Sequence, residues 1–238
     1  MRTERQDRQR RTRSGPHHRG HVRRLALLAL AGTTVFTACG TPTQNTNAST
    51  VGILATGCGP SANAGSGVVV GVPGQIVTVA HTVAGATTIT IVDAAGVEWP
   101  AQLIALDASA DLAVLSVPGL DAPPLATGEV AIGAATAHRW SLDTGVSGQA
   151  VNVTTRLAIT IDDIYGEQSA ERSGIEISGD IEVGDSGGPV VTKDGTVMGI
   201  VYARSRTRAS TGFATDATEI RRVLALTSDG PTSTGRCI

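Results

Sequence analysis

From Val51 to the C-terminus, the chain is cut into short runs of Val, Ile, Thr, Leu and Ala by Gly, Pro and Asp. Helical spacing does not emerge there until Asp216. Short β-branched runs between turn formers read as strands, and this punctuation constrains the fold more than any other feature. Strands are expected near Val68–Gly71, Ile76–Val79, Thr88–Val92, Val97–Ile104 and Leu112–Val117. A Pro-rich break follows at Pro118–Pro124. Further strands are expected near Val130–Gly133, Val146–Thr155, Leu157–Ile161, Ile175–Ser178, Val190–Thr192, Val197–Ala203 and Gly212–Thr215. Two sets of five or six short strands around a Pro-rich joint suggest an all-β chain folded as two small barrels. The first is expected at about 51–120 and the second at about 125–215. Asp216–Leu226 places Ile220, Val223 and Leu224 at helical spacing behind a potential Asp216 cap, so a terminal helix is expected at about 216–226. Abundant Gly (29 of 238 residues) and scarce aromatics (3%) suit tight turns and slender barrels.

The overall charge of −2 hides an asymmetry. Residues 1–38 hold nine Arg against Glu4 and Asp7, leaving ten basic and nineteen acidic residues from Cys39 onward, a net of −9. So acidic a body does not seek nucleic acid or anionic lipid through charge. Its basic head is a targeting feature. Arg-rich residues up to Arg24 precede an apolar run, Leu25–Phe36, of about twelve residues. That is the pattern of a secretory signal, expected over 1–38, and it falls short of the ~20 apolar residues a spanning helix needs. Arg23-Arg24 leaves twin-arginine export open beside the general route. Phe36-Thr37-Ala38-Cys39-Gly40 resembles a bacterial lipobox, with Phe36 where Leu is usual. The resemblance implies a lipidated Cys39, anchored on the outer face of the cytoplasmic membrane in the bacterial cell envelope. Residues 39–50 are then expected to be the anchor and a flexible polar tether, GTPTQNTNAST, with the folded part starting near Val51.

Three cysteines in an exported chain ask for an explanation. If Cys39 carries lipid, Cys58 and Cys237 remain as a pair for an oxidising compartment. Two unpaired terminal thiols are the competing reading.

Chemistry centres on Gly184-Asp185-Ser186-Gly187-Gly188-Pro189. A serine between glycines can stand proud of the backbone, with nearby N–H groups aimed at an oxygen that becomes negative. A plain Gly-rich turn would have the same composition, so a base and an orienting acid must be sought elsewhere. His81 ends the run Ile76–Ala80, where packing could hold an imidazole in fixed orientation. Asp111 opens Leu112–Val117 and could accept the imidazole N–H, with Asp107 as its rival. His138, the other histidine after Cys39, reads as a surface residue. There is no HExxH motif or Cys/His cluster, so no metal or cofactor is expected.

Together, His81, Asp111 and Ser186 in that order resemble the chymotrypsin-like (trypsin-like) serine peptidases, bacterial branch. Val77–His81, Asp111–Leu115, Gly65–Val68 and Thr211–Ala214 each look like segments of that family, and the likeness spans about residues 60–226. The resemblance implies two six-stranded antiparallel β-barrels with a terminal helix and an active site between them. It implies Ser186 as nucleophile, His81 as general base then acid, Asp111 as orienter, and the N–H groups of Gly184 and Ser186 as the oxyanion hole. Asp180, six residues before Ser186, matches the pocket-floor aspartate of members that cut after Arg or Lys, although a solvated turn is the competing reading. Tyr202, Ala203 and Gly212 would form the opposite wall. No activation site releases an apolar N-terminus to pair with Asp185, which is expected to bond within its own loop. Since the chain ends soon after the helix, no appended recognition domain is expected.

These readings converge on an exported, lipid-anchored serine endopeptidase acting on protein or peptide substrates. A catalytically silent binding module on the same fold, or an esterase, would share the motifs.

Overall fold

The computed structural model describes residues 45–238. The expected signal peptide, the expected lipidation site Cys39 and residues 40–44 lie outside them. The first barrel comprises β1 (Thr50–Thr56), β2 (Asn63–Val69), β3 (Gln75–Thr78), β4 (Thr88–Val92), β5 (Glu98–Asp107) and β6 (Leu112–Ser116). Its strands close in the antiparallel order β1-β2-β3-β6-β5-β4. The second comprises β7 (Gly133–Ser141), β8 (Gly145–Asp162), β9 (Ser169–Ser178), β10 (Pro189–Val191), β11 (Val197–Arg204) and β12 (Thr211–Asp216). These close in the order β10-β11-β12-β9-β8-β7. Closure removes the exposed strand edges that would otherwise template aggregation. The expected all-β double barrel is the observed fold.

Several boundaries differ from expectation for identifiable reasons. The sequence reading had no strand at β1, whose TVGILAT is buried on both faces over most of its length, so it shows no alternation. The strand expected at Val130–Gly133 instead starts at Gly133 and runs through the Ala-rich β7. The two strands expected at Val146–Thr155 and Leu157–Ile161 are one 18-residue strand, β8, irregular in register between Val153 and Thr155. Residues 45–50, expected to be flexible tether, are ordered. Thr46–Ser49 forms a short helix, α1, and Ser49 Oγ donates to the Pro123 carbonyl at 2.6 Å. Ser49 and Thr50 are fully buried, so the polar composition reflects hydrogen bonds to the barrel rather than solvation.

Three apolar cores hold the molecule. One fills the first barrel around Ile53, Ile76, Ile91 and Leu115, and another fills the second around Val153, Ile175, Ile177 and Met198. The third lies between them, joining Val77, Leu112 and Val114 of the first barrel to Val191, Val197 and Ile200 of the second. The terminal helix α3 (Ala217–Leu224) adds Ile220 and Val223 to this third core. Asp216 caps it, accepting from Thr218 N at 2.8 Å. Burying such side chains contributes roughly 1.5–3 kcal/mol each, which makes the joint between barrels a packed interface.

After α3 the chain returns along the first barrel. Ser228 N donates to Ile104 O, Thr232 N to Leu103 O and Gly85 N to Thr234 O. Cys58 and Cys237 are disulfide-bonded across a sequence separation of 179. Closing so long a loop restricts the unfolded chain severely. The double variant Cys58→Ser/Cys237→Ser should therefore lose about 2–5 kcal/mol of stability, read from urea unfolding midpoints. An unchanged midpoint would mean that the backbone bonds of the tail are sufficient alone.

Candidate active site

His81 sits in a single helical turn, α2 (Ala80–Val83), directly after β3. Its cap residue, Val79, offers no side-chain acceptor to the turn's free N–H groups. Asp111 supplies what is missing. Its carbonyl accepts from Ala80 N at 3.2 Å, and its Oδ1 accepts from His81 N at 2.9 Å. Its Oδ2 lies 2.7 Å from His81 Nδ1. One residue thus fixes both the backbone and the ring of the histidine. It does so from a left-handed conformation, φ 55°, which Asp tolerates better than most side chains. The rival Asp107 is committed elsewhere: its Oδ1 accepts from Ser109 N and Ala110 N, shaping the turn that presents Asp111.

Asp111 is buried, whereas the His81 side chain is 31% exposed. A carboxylate bonded to Nδ1 selects the tautomer with its proton there, leaving Nε2 as a lone pair. His81 and Ser186 line one cleft of about 680 Å³. Among the described residues, Ser186 Oγ makes no hydrogen bond. Contacts of this kind are often loose in unliganded sites and tighten on binding.

The serine comes from the second barrel, in the loop before β10, and the first barrel grips that loop. Ser66 N, in β2, donates to Ser186 O at 2.8 Å. Ser66 Oγ donates to Gly184 O at 3.1 Å and accepts from Trp140 N at 2.9 Å. Thr78 Oγ1 holds the Ser66 carbonyl in turn, at 2.7 Å. The approach is so close that a Cβ at Gly187 would stand 1.9 Å from Ser66 O, and φ there is +88°. Gly184 also has positive φ, +99°, with open space where a Cβ would be. Among the described residues, the N–H groups of Gly184 and Ser186 donate to no protein acceptor. They remain available to an incoming oxygen.

Asp185 does more than bond within its loop. Its buried carboxylate accepts from Glu182 N at 2.9 Å, as expected of a local turn. It also takes Arg139 Nη1 at 3.2 Å from β7 and Gln149 Nε2 at 3.3 Å from β8. Arg139 bridges to Glu182 at 2.7 Å as well. Arg139 and Gln149 were not singled out from the sequence, and Ser66 entered only as part of the Gly65–Val68 likeness, since nothing marks a strand residue as the partner of a loop far along the chain.

The pocket residues expected from the sequence divide. Ala203 lines a second cavity, of about 320 Å³, with Ile181, Glu182, Val183, Ser186, Val201, Arg204 and Arg206. Asp180 is exposed and lies outside that lining, as does Tyr202, which is stacked under the Arg172 guanidinium at 4.6 Å. Gly212 lies behind Ile181, whose Cγ1 would be 2.5 Å from a Cβ there. His138 is half-buried rather than superficial. Its Nδ1 is enclosed without a partner among the described residues, and burial lowers its pKa.

The sequence profile of the trypsin-like peptidase domain matches residues 65–200. Serine protease Rv3671c of Mycobacterium tuberculosis is 35% identical over 185 residues, which cover 73% of this chain and 45% of that protein. The chain thus spans less than half the length of that curated relative. The crystal structure of Rv3671c protease in its active form superposes with a TM-score of 0.76 at 30% identity, covering 81% of this chain and 87% of that one. The inactive form gives 0.66 at 30% identity, covering 76% and 89%.

Arg139 provides a test of the loop. In Arg139→Gln, the buried Asp185 carboxylate keeps its neutral donors and loses its cation. Breaking a fully buried pair costs about 3–5 kcal/mol, and the partial exposure of Arg139 reduces this to about 1–3. The variant should melt earlier and show faster amide exchange in residues 182–188, by mass spectrometry. Unchanged exchange there would remove Arg139 as the support of the loop.

Proposed function

The chain belongs to the trypsin-like peptidase family, and on that premise we propose that it is an exported serine endopeptidase with Ser186, His81 and Asp111 as its catalytic triad. The observation that carries this reading is the double hold of Asp111 on His81, through Oδ1 to the backbone and Oδ2 to Nδ1. A structural aspartate capping α2 needs the first bond alone. The second leaves a lone pair at Nε2 of a histidine that lines one cleft with Ser186.

The chemistry follows from that arrangement. Ser186 Oγ attacks the scissile carbonyl carbon while Nε2 takes the hydroxyl proton. The carbonyl oxygen becomes an oxyanion and accepts from Gly184 N and Ser186 N, a contribution of roughly 3–4 kcal/mol per donor in such sites. Asp111 stabilises the imidazolium and remains ionised. As the tetrahedral intermediate collapses, Nε2 returns the proton to the departing amine, leaving an acyl group on Oγ. Water then enters the vacated side and attacks the ester as Nε2 takes its proton; collapse of the second tetrahedral intermediate frees Ser186 Oγ, to which Nε2 returns that proton, and releases the carboxylic acid.

One feature supports a site formed without proteolytic activation: Arg139 already holds Asp185. Exposed apolar side chains, Leu142 (74%) and Val183 (88%), flank the cleft and offer a docking surface for an extended peptide. Lipid anchoring at Cys39 belongs to the same proposal: with Cys58 and Cys237 bonded to each other, Cys39 has no cysteine partner within the chain.

A fluorophosphonate should label the folded full-length chain at Ser186, and Ser186→Ala should abolish both labelling and peptide cleavage. Asp111→Asn, which disturbs the tautomer, should lower kcat by about 10⁴. A well-folded chain that neither labels nor cleaves would leave only the binding-module reading. For the anchor, Cys39→Ser should move the protein from the membrane fraction to the soluble one, and unchanged fractionation would discard lipidation.

A further inference from the structure

Two cavities meet at Ser186, and the chemistry proposed above assigns one half of the substrate to each. The larger contains His81, which must reach the departing amine, so the leaving half of the peptide lies there. The smaller lacks His81, and the side chain of the residue whose carbonyl is attacked belongs in it. Its lining includes Ile181 and Val201, both buried, and Arg204 and Arg206, both exposed, which also border a neighbouring cavity with Tyr202 and Phe213.

Those two guanidiniums are unusual in this molecule. The described residues contain nineteen carboxylate side chains and ten cationic ones. Six of the ten are in ion pairs: Arg139, Arg156, Arg208, Arg221, Arg222 and Arg236. A seventh, Arg172, lies over Tyr202 and donates to Ser109 O. Only Lys193, Arg204 and Arg206 make no ion pair, hydrogen bond or ring contact among the described residues, and two of these three line the cavity beside Ser186. In a body with an excess of acid, cations without a carboxylate are the exception. The one carboxylate in the lining, Glu182, is engaged by Arg139 at 2.7 Å. Asp180, which would have drawn a cationic side chain, lies outside. Unoccupied, the cavity carries two like charges two residues apart, and an incoming anion relieves their repulsion as well as bonding to them.

We propose that Arg204 and Arg206 make this a subsite for acidic side chains, so that the chain cleaves after Glu or Asp. This rests on the serine-peptidase reading of Ser186. A carboxylate reaching between the two guanidiniums accepts charge-assisted hydrogen bonds from a planar fork. Since both arginines are exposed, solvent screens the gain, and the preference over a neutral isostere is about five- to tenfold. Added salt weakens it.

The test has a cleavage arm and a binding arm, both on the full-length chain. Wild-type protein is given peptides that differ at one position only, Glu, Gln or Lys at the residue preceding the scissile bond. The expected result is a kcat/KM about five- to tenfold higher for Glu than for Gln, shrinking as salt is added, with Lys lowest. In Arg204→Glu/Arg206→Glu the order of Glu and Lys should reverse, a gain that misfolding cannot produce. Ser186→Ala should bind the Glu peptide more tightly than the Gln peptide in fluorescence anisotropy. Fluorophosphonate labelling with equal cleavage after Glu and Gln would overturn this proposal and leave the peptidase reading intact. Absent labelling would sink the peptidase reading itself. The binding arm would then still decide the subsite, with equal binding of the Glu and Gln peptides overturning it.

Discussion

The candidate site depends on one contact between barrels: Ser66 of the first holding the serine loop of the second. His81 and Asp111 belong to the first barrel and Ser186 to the second. No local sequence can set the distance between them. Ser66 sets it by spending both its backbone N–H and its hydroxyl on the loop, at Ser186 O and Gly184 O. Ser66 is fully buried, so these bonds form where water does not compete and where leaving them unmade would be expensive. They also decide which way the loop faces. With the carbonyls of Gly184 and Ser186 turned toward Ser66, their N–H groups remain unspent.

The loop is held from its other side by charge. Asp185 is buried under the serine, and Arg139, Gln149 and Glu182 N meet its two oxygens. An isolated carboxylate in that position would pull the loop toward water, so the cation from β7 is a condition of the loop's shape. Ser66 acts from one barrel and Arg139 from the other, and between them the hexapeptide has little freedom. The shared apolar core beneath, with α3 packed into it, keeps the two supports at a constant separation.

Much of this architecture is legible in the residues because barrels are built from local signals. β4 was expected at its observed limits and β6 within one residue, since a β-branched run (TITIV) and an apolar run (LAVLS) between turn formers have few alternatives. β1 was missed because burial on both faces removes the alternation that marks a strand, and because a Thr/Asn-rich segment precedes it. That segment itself misled. Ser49 and Thr50 are polar in the sequence and fully buried in the fold, since Pro123 O and Thr46 O accept their hydroxyls. Asp180 had two readings, a pocket floor by its spacing from the serine and a solvated turn; the structure has it exposed, and Arg204 and Arg206 line the cavity instead.

By itself, then, the sequence determined the all-β class and most of its strands, β1 excepted, the terminal helix with its Asp216 cap, and the three residues whose order points to serine chemistry. Each is written in spacing and residue type over a few positions, within reach of the local backbone. Only the tertiary structure decided what holds those residues and what surrounds them. Ser66 meets Ser186, Arg139 meets Asp185, and two arginines without an ion pair line the cavity beside Ser186. Such partners lie tens to more than a hundred residues apart, and barrel closure and register, rather than any motif, bring them within hydrogen-bond reach.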